Sequence, residues 1–166
     1  LFCTGPGITS FTSKDLKNWT QAAPVFAKAP AWALDVAPGF NGHIWAPDIT
    51  FHNGIYYLYY SVSAFGKNTS AIGLVTNATL NPADANYKWA DQGIIIQSVP
   101  NRDLWNAIDP NLIFDEKGTP YLAFGSFWSG LKMVKLNVNL KEVAKPEEWT
   151  AIASRDRKGD TEEAEA

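Results

Sequence analysis

Two acidic residues, Asp109 and Glu165, have side chains that could work together in catalysis. They are 56 positions apart, with Asp109 directly before a proline and Glu165 in the run 163–166. A carboxyl group that is held protonated can give its proton to a leaving oxygen, and an ionised carboxylate can activate water or tune the acid. If the fold brings both side chains to one place, they could carry out acid-catalysed hydrolysis.

Aromatic residues are abundant in the chain, with seven Trp, six Tyr and nine Phe among 166 residues. Exposed aromatic rings stack on the apolar C–H faces of sugar rings, while polar neighbours bind the hydroxyl groups. Most rings of a β protein nevertheless belong to its core, so one aromatic residue alone indicates little. Carboxylates that converge on an aromatic-lined pocket are what glycoside hydrolysis requires.

The composition excludes several other classes of function. The net charge of −3, with no cluster of Lys and Arg, argues against nucleic acid as a partner. The longest apolar runs, such as residues 94–96, are far shorter than the roughly 20 residues that a membrane-spanning helix needs. We therefore expect no membrane partner. Cys3 is the only cysteine, so neither an internal disulfide nor a cysteine-based metal site is expected.

An internal repeat predicts the elements that would position these groups. Residues 46–51 and 109–114 are matching openings, and the turn glycines that follow them, Gly54 and Gly118, are 64 positions apart. Three tryptophans recur near the last strand of each unit: Trp19, Trp89 and Trp149. About four short strands per roughly 60 residues, without a sustained helical period, are typical of the blades of a β-propeller.

We therefore predict an all-β fold of the propeller type, with about two and a half to three blades in one partial domain over residues 1–166. Because propellers ordinarily close with four or more blades, we expect a piece truncated at both ends. A β-sandwich is the alternative, although it gives no reason for the tryptophan spacing. The open strand edges of an isolated piece predict either self-association or poor solubility.

Three motifs resemble glycoside hydrolase family 43, and in particular its endo-1,5-α-L-arabinanases. They are residues 42–49 (GHIWAPDI), 105–111 (WNAIDPN) and 125–130 (GSFWSG). The resemblance implies a five-bladed β-propeller and an inverting endo-hydrolase of α-1,5-L-arabinofuranosidic bonds in plant arabinan. It also implies three carboxylates: an Asp base, an Asp that orients and tunes the acid, and a Glu acid.

The resemblance implies specific roles for the acidic residues. By motif, Asp109 matches the tuning Asp and Glu165 the general acid, with Glu163 as a rival because no proline follows Glu165 to confirm its register. The base of the family would fall about a dozen residues before Leu1, by extrapolation from the Asp109 repeat. We therefore expect this chain to lack the base, and to be inactive unless another segment completes it.

The resemblance also implies substrate contacts. Trp45 resembles the aromatic platform of the family, and Asn106, Ser126 and Phe127 are expected at the mouth of the channel. For each of these four residues, ordinary core or turn packing is the alternative. For four further residues, a role in the site and a purely structural role are both open: His43, Asp48, Trp105 and Trp128.

The expected partner is a polysaccharide, arabinan or arabinoxylan. The resemblance implies that the chemistry requires no cofactor, and that calcium or another ion can lie in the central channel. No set of ligands in the sequence has convincing spacing for such an ion. A secreted or periplasmic protein is expected. The alternatives are a related family 43 β-xylosidase or α-L-arabinofuranosidase, and a non-catalytic sugar-binding propeller.

Overall fold

The computed structural model describes residues 1–155, so Glu163 and Glu165 lie outside the described residues. That part of the chain forms three antiparallel sheets and one four-residue helix, and no helix in it is long and apolar enough to span a membrane. The elements in chain order are β1 (Phe2–Cys3), β2 (Gly5–Pro6), β3 (Thr9–Thr12), β4 (Thr20–Ala22), α1 (Ala33–Val36), β5 (His43–His52), β6 (Ile55–Val62), β7 (Ser70–Asn77), β8 (Ala90–Ser98), β9 (Asn111–Phe114), β10 (Pro120–Phe124), β11 (Leu131–Lys135) and β12 (Trp149–Ala153).

The second sheet, in the order β2-β5-β6-β7-β8, follows the predicted pattern of one blade. Asn53 and Gly54 form the two-residue turn between β5 and β6, and both have a positive φ (48° and 80°), as tight hairpin turns require. Strand β7 is buried along its whole length. A strand that is covered on both faces carries apolar or small residues on both sides, which explains why residues 71–75 (AIGLV) do not alternate with polar residues.

The third sheet, in the order β9-β10-β11-β12, repeats this arrangement. The turn between β9 and β10 is held by the carboxylate of Asp115, which accepts hydrogen bonds from the N–H groups of Thr119 and Lys117. These bonds lower the pKa of Asp115. Each repeated tryptophan directly precedes or begins the last strand of its sheet, at Trp19, Trp89 and Trp149. The predicted repeat of strands is confirmed.

The N-terminal stretch differs from the prediction. Residues 1–5 (LFCTG) resemble the strand residues 58–62 and 122–126, which predicts one strand there. The structure instead divides them: β1 pairs with β3 in the first sheet, and β2 pairs with β5 in the second. Thr4 lies at the bend, and its hydroxyl accepts a hydrogen bond from the N–H group of Ala46 at 3.0 Å. Gly5 suits this path because a Cβ there would lie 2.3 Å from the hydroxyl oxygen of Thr9.

Two clusters of buried side chains lie on opposite faces of the second sheet. Tyr59 and Tyr60 are neighbours in β6, so their side chains point to opposite faces. Tyr59 belongs to the cluster shared with the third sheet, where its hydroxyl donates to the carbonyl of Leu140. Tyr60 belongs to the other cluster, and its hydroxyl donates to the carboxylate of Asp91 at 3.3 Å. Burial raises the pKa of both phenols, which therefore stay protonated as donors.

We expect the substitution Gly73→Ala to destabilise the protein. A Cβ at Gly73 would lie 2.5 Å from Cζ of Tyr60, whose ring is fully buried and cannot move aside. Overpacking of this kind costs roughly 1–3 kcal/mol of unfolding free energy. Thermal and denaturant unfolding of the full-length protein would measure it. In a Tyr60→Leu background the penalty of Gly73→Ala should shrink, and an equal penalty in both backgrounds would contradict the explanation.

Candidate active site

The strand order places the starts of β5 and β9, the inner strands of their blades, on one face of the molecule. In the second sheet, Trp45 near the start of β5 pairs with Ser61 near the end of β6. In the third sheet, Asn111 at the start of β9 pairs with Ala123 near the end of β10. The segments 63–69, 99–110 and 125–130 therefore lie on the same side as the beginnings of β5 and β9. We call this side the mouth face.

Asp109 is held on the mouth face by the neighbouring blade. Its N–H group donates to the hydroxyl of Ser61 at 3.0 Å, and the preceding Ile108 accepts a hydrogen bond from the N–H group of Gly125 at 2.8 Å. Asp109 has a φ of 56°, a left-handed conformation that non-glycine residues rarely adopt and that persists only where the surroundings impose it. The backbone before β9 is thus bent and fixed, and this sets the direction of the side chain of Asp109.

Desolvation changes the acidity of Asp109. The residue keeps an exposed surface, yet the protein atoms around its carboxyl group remove part of the water that would solvate the charge. This burial raises the pKa of Asp109 above that of an ordinary aspartate, because the ionised form loses more hydration than the neutral form. A carboxyl group in a cleft with a raised pKa is a candidate for proton chemistry or for electrostatic tuning of a neighbour.

An open cleft of about 590 Å³ brings Asp109 together with Ser126 and Phe127. The segment 125–130 that carries these two residues is tightly bent, with a φ of 111° at Gly125 and 50° at Phe127. A Cβ at Gly125 would lie 2.7 Å from the carbonyl oxygen of Gly130, so only glycine fits this turn. The structure therefore places three of the predicted site residues at one cleft.

Trp45 does not line this cleft. It is half-buried and pairs across the sheet with Ser61, which also binds the backbone of Asp109. A β-bulge follows directly, with Ala46 at a φ of 41°, and bulges of this kind redirect the side chains next to them. Ser61 is thus the common neighbour of Trp45 and Asp109.

Asn106 is fully buried, at 0% exposure. Its Nδ2 donates to the carbonyl of Lys67 at 3.5 Å, and its Oδ1 has no hydrogen-bond partner among the described residues. The next N–H group, that of Ala107, donates to the hydroxyl of Ser98 at 3.1 Å. In this arrangement Asn106 anchors the segment that leads to Asp109. A direct contact between Asn106 and substrate stays a prediction.

Asp48 binds the neighbouring blade, although an aspartate that follows a proline commonly caps a local turn. Its Oδ2 accepts a hydrogen bond from the N–H group of Leu112 at 2.9 Å, and its Oδ1 accepts one from Nδ2 of Asn111 at 3.4 Å. These bonds join the inner strands of two neighbouring blades. Asp48 therefore fixes β9, and with it Asp109, relative to β5.

Three of the residues left open by the sequence lie outside the cleft: Trp105, Trp128 and His43. Trp105 packs edge-on against Phe124 and stacks on Trp149, so its environment is that of inter-blade packing. Trp128 is half-buried with a φ of 36° in the bent segment after Phe127. His43 is exposed at the start of β5, where its N–H group donates to the side chain of Asn41.

Two residues on the mouth face were missed by the sequence reasoning. Phe65, in the segment after β6, is 70% exposed. Arg155 lines the cleft together with Asp109 and brings a positive charge to it. The repeat could have indicated Phe65, because it follows a second strand just as Phe127 does. Nothing in the charged run at the end of the chain distinguished Arg155 from its neighbours.

The resemblance implied an ion in the central channel. Within residues 1–155, no group of three or more His, Cys, Asp or Glu side chains is arranged to hold a metal ion. We therefore derive no step through a metal.

Comparison with known proteins shows extensive similarity. Residues 2–166 match the profile of glycosyl hydrolases family 43. The extracellular exo-α-(1→5)-L-arabinofuranosidase ArbA of Cellvibrio japonicus is 59% identical over 157 residues, which are 95% of this chain and 45% of that protein. The extracellular endo-α-(1→5)-L-arabinanase 1 of Bacillus subtilis is 43% identical over 159 residues, which are 95% of this chain and 47% of that protein.

Solved structures show the same similarity. The structure of Cellvibrio cellulosa α-L-arabinanase complexed with arabinohexaose matches with a TM-score of 0.94 at 55% identity, covering 99% of this chain and 52% of that one. Native Bacillus subtilis arabinanase Arb43A matches with a TM-score of 0.85 at 41% identity, covering 95% and 53%. The chain thus spans about half the length of these relatives. The predicted all-β fold of the five-bladed propeller type is confirmed, and the β-sandwich alternative is wrong.

Proposed function

Because this chain belongs to glycosyl hydrolases family 43, we propose that the whole protein is a glycoside hydrolase that cleaves α-1,5-L-arabinofuranosidic bonds in arabinan. The observation that supports this most is the cleft in which Asp109 lies beside Ser126 and Phe127. A carboxylate next to an aromatic ring is the combination that sugar hydrolysis uses. The names of the relatives support arabinan as the polymer.

In the proposed mechanism, Glu165 protonates the glycosidic oxygen and Asp109 tunes its acidity. A negative charge on Asp109 disfavours a second charge nearby, so Glu165 keeps its proton at a pH at which an isolated glutamate would lose it. Asp109 reaches this position because Ser61 and Asp48 hold the start of β9 against the neighbouring blade. The two carboxyl groups would titrate as a coupled pair.

We propose an inverting reaction, in which a carboxylate base activates water on the opposite face of the sugar. In inverting enzymes the acid and the base are roughly 6.5–9.5 Å apart, which leaves space for that water. No residue of these 166 matches the base by motif. We place the base in the part of the whole protein that the relatives contain and this chain does not span.

Side chains on the mouth face would hold the sugar chain. Trp45 and Phe127 offer ring faces for stacking on arabinofuranose, and Ser126 offers a hydroxyl group for a hydrogen bond. Asn106 would act through the segment that it anchors. Arg155 lines the same cleft and can donate hydrogen bonds to sugar hydroxyls or attract the carboxylates of the catalytic pair.

Endo action is the mode proposed here, and exo action is the second candidate. The relative named as an exo-acting enzyme is 59% identical, whereas the one named as an endo-acting enzyme is 43% identical. This chain spans about half the length of both relatives. The choice between the two modes therefore depends on parts of the whole protein that this chain does not span.

The test is hydrolysis of debranched arabinan by the full-length protein, with xylan as the comparison polymer. Endo action predicts a rapid fall in viscosity and a mixture of oligosaccharides, whereas exo action predicts one short product from the first minutes. Inversion predicts that the anomer first released is opposite to that of the substrate, as proton NMR would show. Faster release from xylan would favour a xylan-directed enzyme. Polymer binding without any reducing-sugar release would favour a non-catalytic sugar-binding propeller.

We also propose that the whole protein is secreted, because the names of both relatives describe them as extracellular. Arabinan is a polymer too large to enter a cell intact, so a secreted enzyme suits this substrate. Fractionation of the producing cells would show the protein in the medium or the periplasm if the proposal holds.

A further inference from the structure

A second cleft, of about 730 Å³, lies between the outer parts of the second and third sheets. It shares no lining residue with the cleft at Asp109. One wall is formed by residues 94–97 of β8, and the other by the segment between β11 and β12. Trp105 and Trp149 line it as well. We call this cleft the outer groove.

Trp149 presents a rigid ring in the outer groove. The ring is stacked on Trp105 with centroids 5.2 Å apart and an interplanar angle of 24°, and it meets Phe124 edge-on at 5.9 Å. Its Nε1 donates to the carboxylate of Glu147 at 2.9 Å. The residue nevertheless stays 40% exposed. An exposed ring that is already fixed loses little conformational entropy when a ligand stacks on it.

The charges in the outer groove balance. Three basic and three acidic residues line it: Arg102, Lys141, Lys145, Asp103, Glu142 and Glu147. Arg102 pairs with Asp103 at 2.7 Å, and Lys145 pairs with Glu147. A groove with no net charge attracts neither an anionic nor a cationic polymer. Its many donors and acceptors beside an aromatic ring suit a neutral ligand that is rich in hydroxyl groups.

We propose that the outer groove is a second carbohydrate-binding site, which holds a segment of an arabinan chain away from the cleft at Asp109. The identity of the polymer rests on the proposed function, whereas the neutral and hydroxyl-rich nature of the ligand rests on the groove itself. A chain held at two sites has a higher effective concentration at each, so the outer groove would favour polymer over short oligosaccharides.

The chain offers a matched control at an equivalent place. Trp19 also precedes the last strand of its sheet and is 42% exposed, close to the exposure of Trp149. The cleft that Trp19 lines has no Asp, Glu, Lys or Arg among its described lining residues. If Trp149 served only the packing of the blades, substitution of Trp19 and of Trp149 should have similar consequences.

The test compares polymer and oligosaccharide in the full-length protein. Retardation in native gels that contain debranched arabinan measures polymer affinity, and kcat/KM on a short arabino-oligosaccharide measures the cleft at Asp109. We expect Trp149→Ala to weaken retardation roughly three- to tenfold, as loss of one stacked ring should. Oligosaccharide turnover should stay unchanged, and Trp19→Ala should change neither quantity.

A second variant covers the case in which Trp149→Ala fails to fold. Ile94 is 37% exposed in the outer groove, so Ile94→Arg fills the groove without removing any ring. It should reduce retardation as Trp149→Ala does. Retardation equal to that of the parent in both variants would overturn the proposal, and so would stronger binding of xylan at the groove. A protein that neither cleaves nor binds arabinan would overturn the proposed function instead.

Discussion

The substitution Asp109→Asn in the full-length protein is expected to lower kcat on debranched arabinan at neutral pH by roughly 10- to 10²-fold, since each unit by which the like charge raises the pKa of Glu165 changes its protonated fraction tenfold. The amide keeps the size of the side chain and removes its charge. Without that charge, Glu165 loses its proton more easily and is a poorer acid at neutral pH. Steady-state kinetics on the polymer would measure the loss.

The pH profile of this variant shows whether Asp109 acts through the acid. In the parent, activity falls on the alkaline side as Glu165 loses its proton, and the charge on Asp109 moves that fall to higher pH. In Asp109→Asn the alkaline fall should therefore occur at lower pH. Burial raises the pKa of Asp109 itself. At acidic pH Glu165 is protonated whether or not Asp109 is charged, so the acidic fall reports protonation of the base and should move little in the variant.

A matched control comes from the same blade. Asp115 lies in the turn between β9 and β10, outside the cleft, and its carboxylate binds backbone N–H groups. Asp115→Asn makes the same chemical change a few residues away, so it should leave the pH profile of the parent intact. Full activity of Asp109→Asn, or an unmoved alkaline fall, would contradict the tuning role.

The sequence was sufficient to predict the blades, because their features repeat. Turn glycines such as Gly54 and Gly118 adopt a positive φ without steric cost, and they recur at the same point of each unit. The three tryptophans recur because each lies at the start of the outermost strand of its sheet, a position that every blade has. Features that every blade must have are visible as a period in the sequence.

Contacts between blades were not predictable in this way. Asp48 binds Leu112, 64 positions away, and a proline before an aspartate suggests only a local turn. The division of residues 1–5 between two sheets depends on the hydrogen bond between Thr4 and Ala46, which no local sequence pattern predicts. Asn106 is buried although its neighbour Asp109 lies in an open cleft, because the bend before β9 turns the two side chains apart.

The choice between Glu165 and Glu163 as the acid can be made by substitution. Both residues lie outside the described residues, so the proposal for Glu165 rests on its motif alone. We expect Glu165→Gln to reduce kcat on arabinan by roughly 10²- to 10⁴-fold, since the amide cannot protonate the leaving oxygen. Glu163→Gln makes the same change two positions away and should stay within about twofold of the parent, as a carboxylate that takes no part in the reaction would.

A substrate with a good leaving group separates loss of the acid from loss of the fold. An aryl arabinofuranoside whose phenol leaves without protonation does not need the general acid, so Glu165→Gln should cleave it at a rate close to that of the parent. A variant that had merely unfolded would lose both substrates. If Glu163→Gln instead shows the selective loss on arabinan, the acid is Glu163, and the register assumed for the start of the next blade is wrong by two residues. If neither variant loses activity on arabinan, both assignments are wrong.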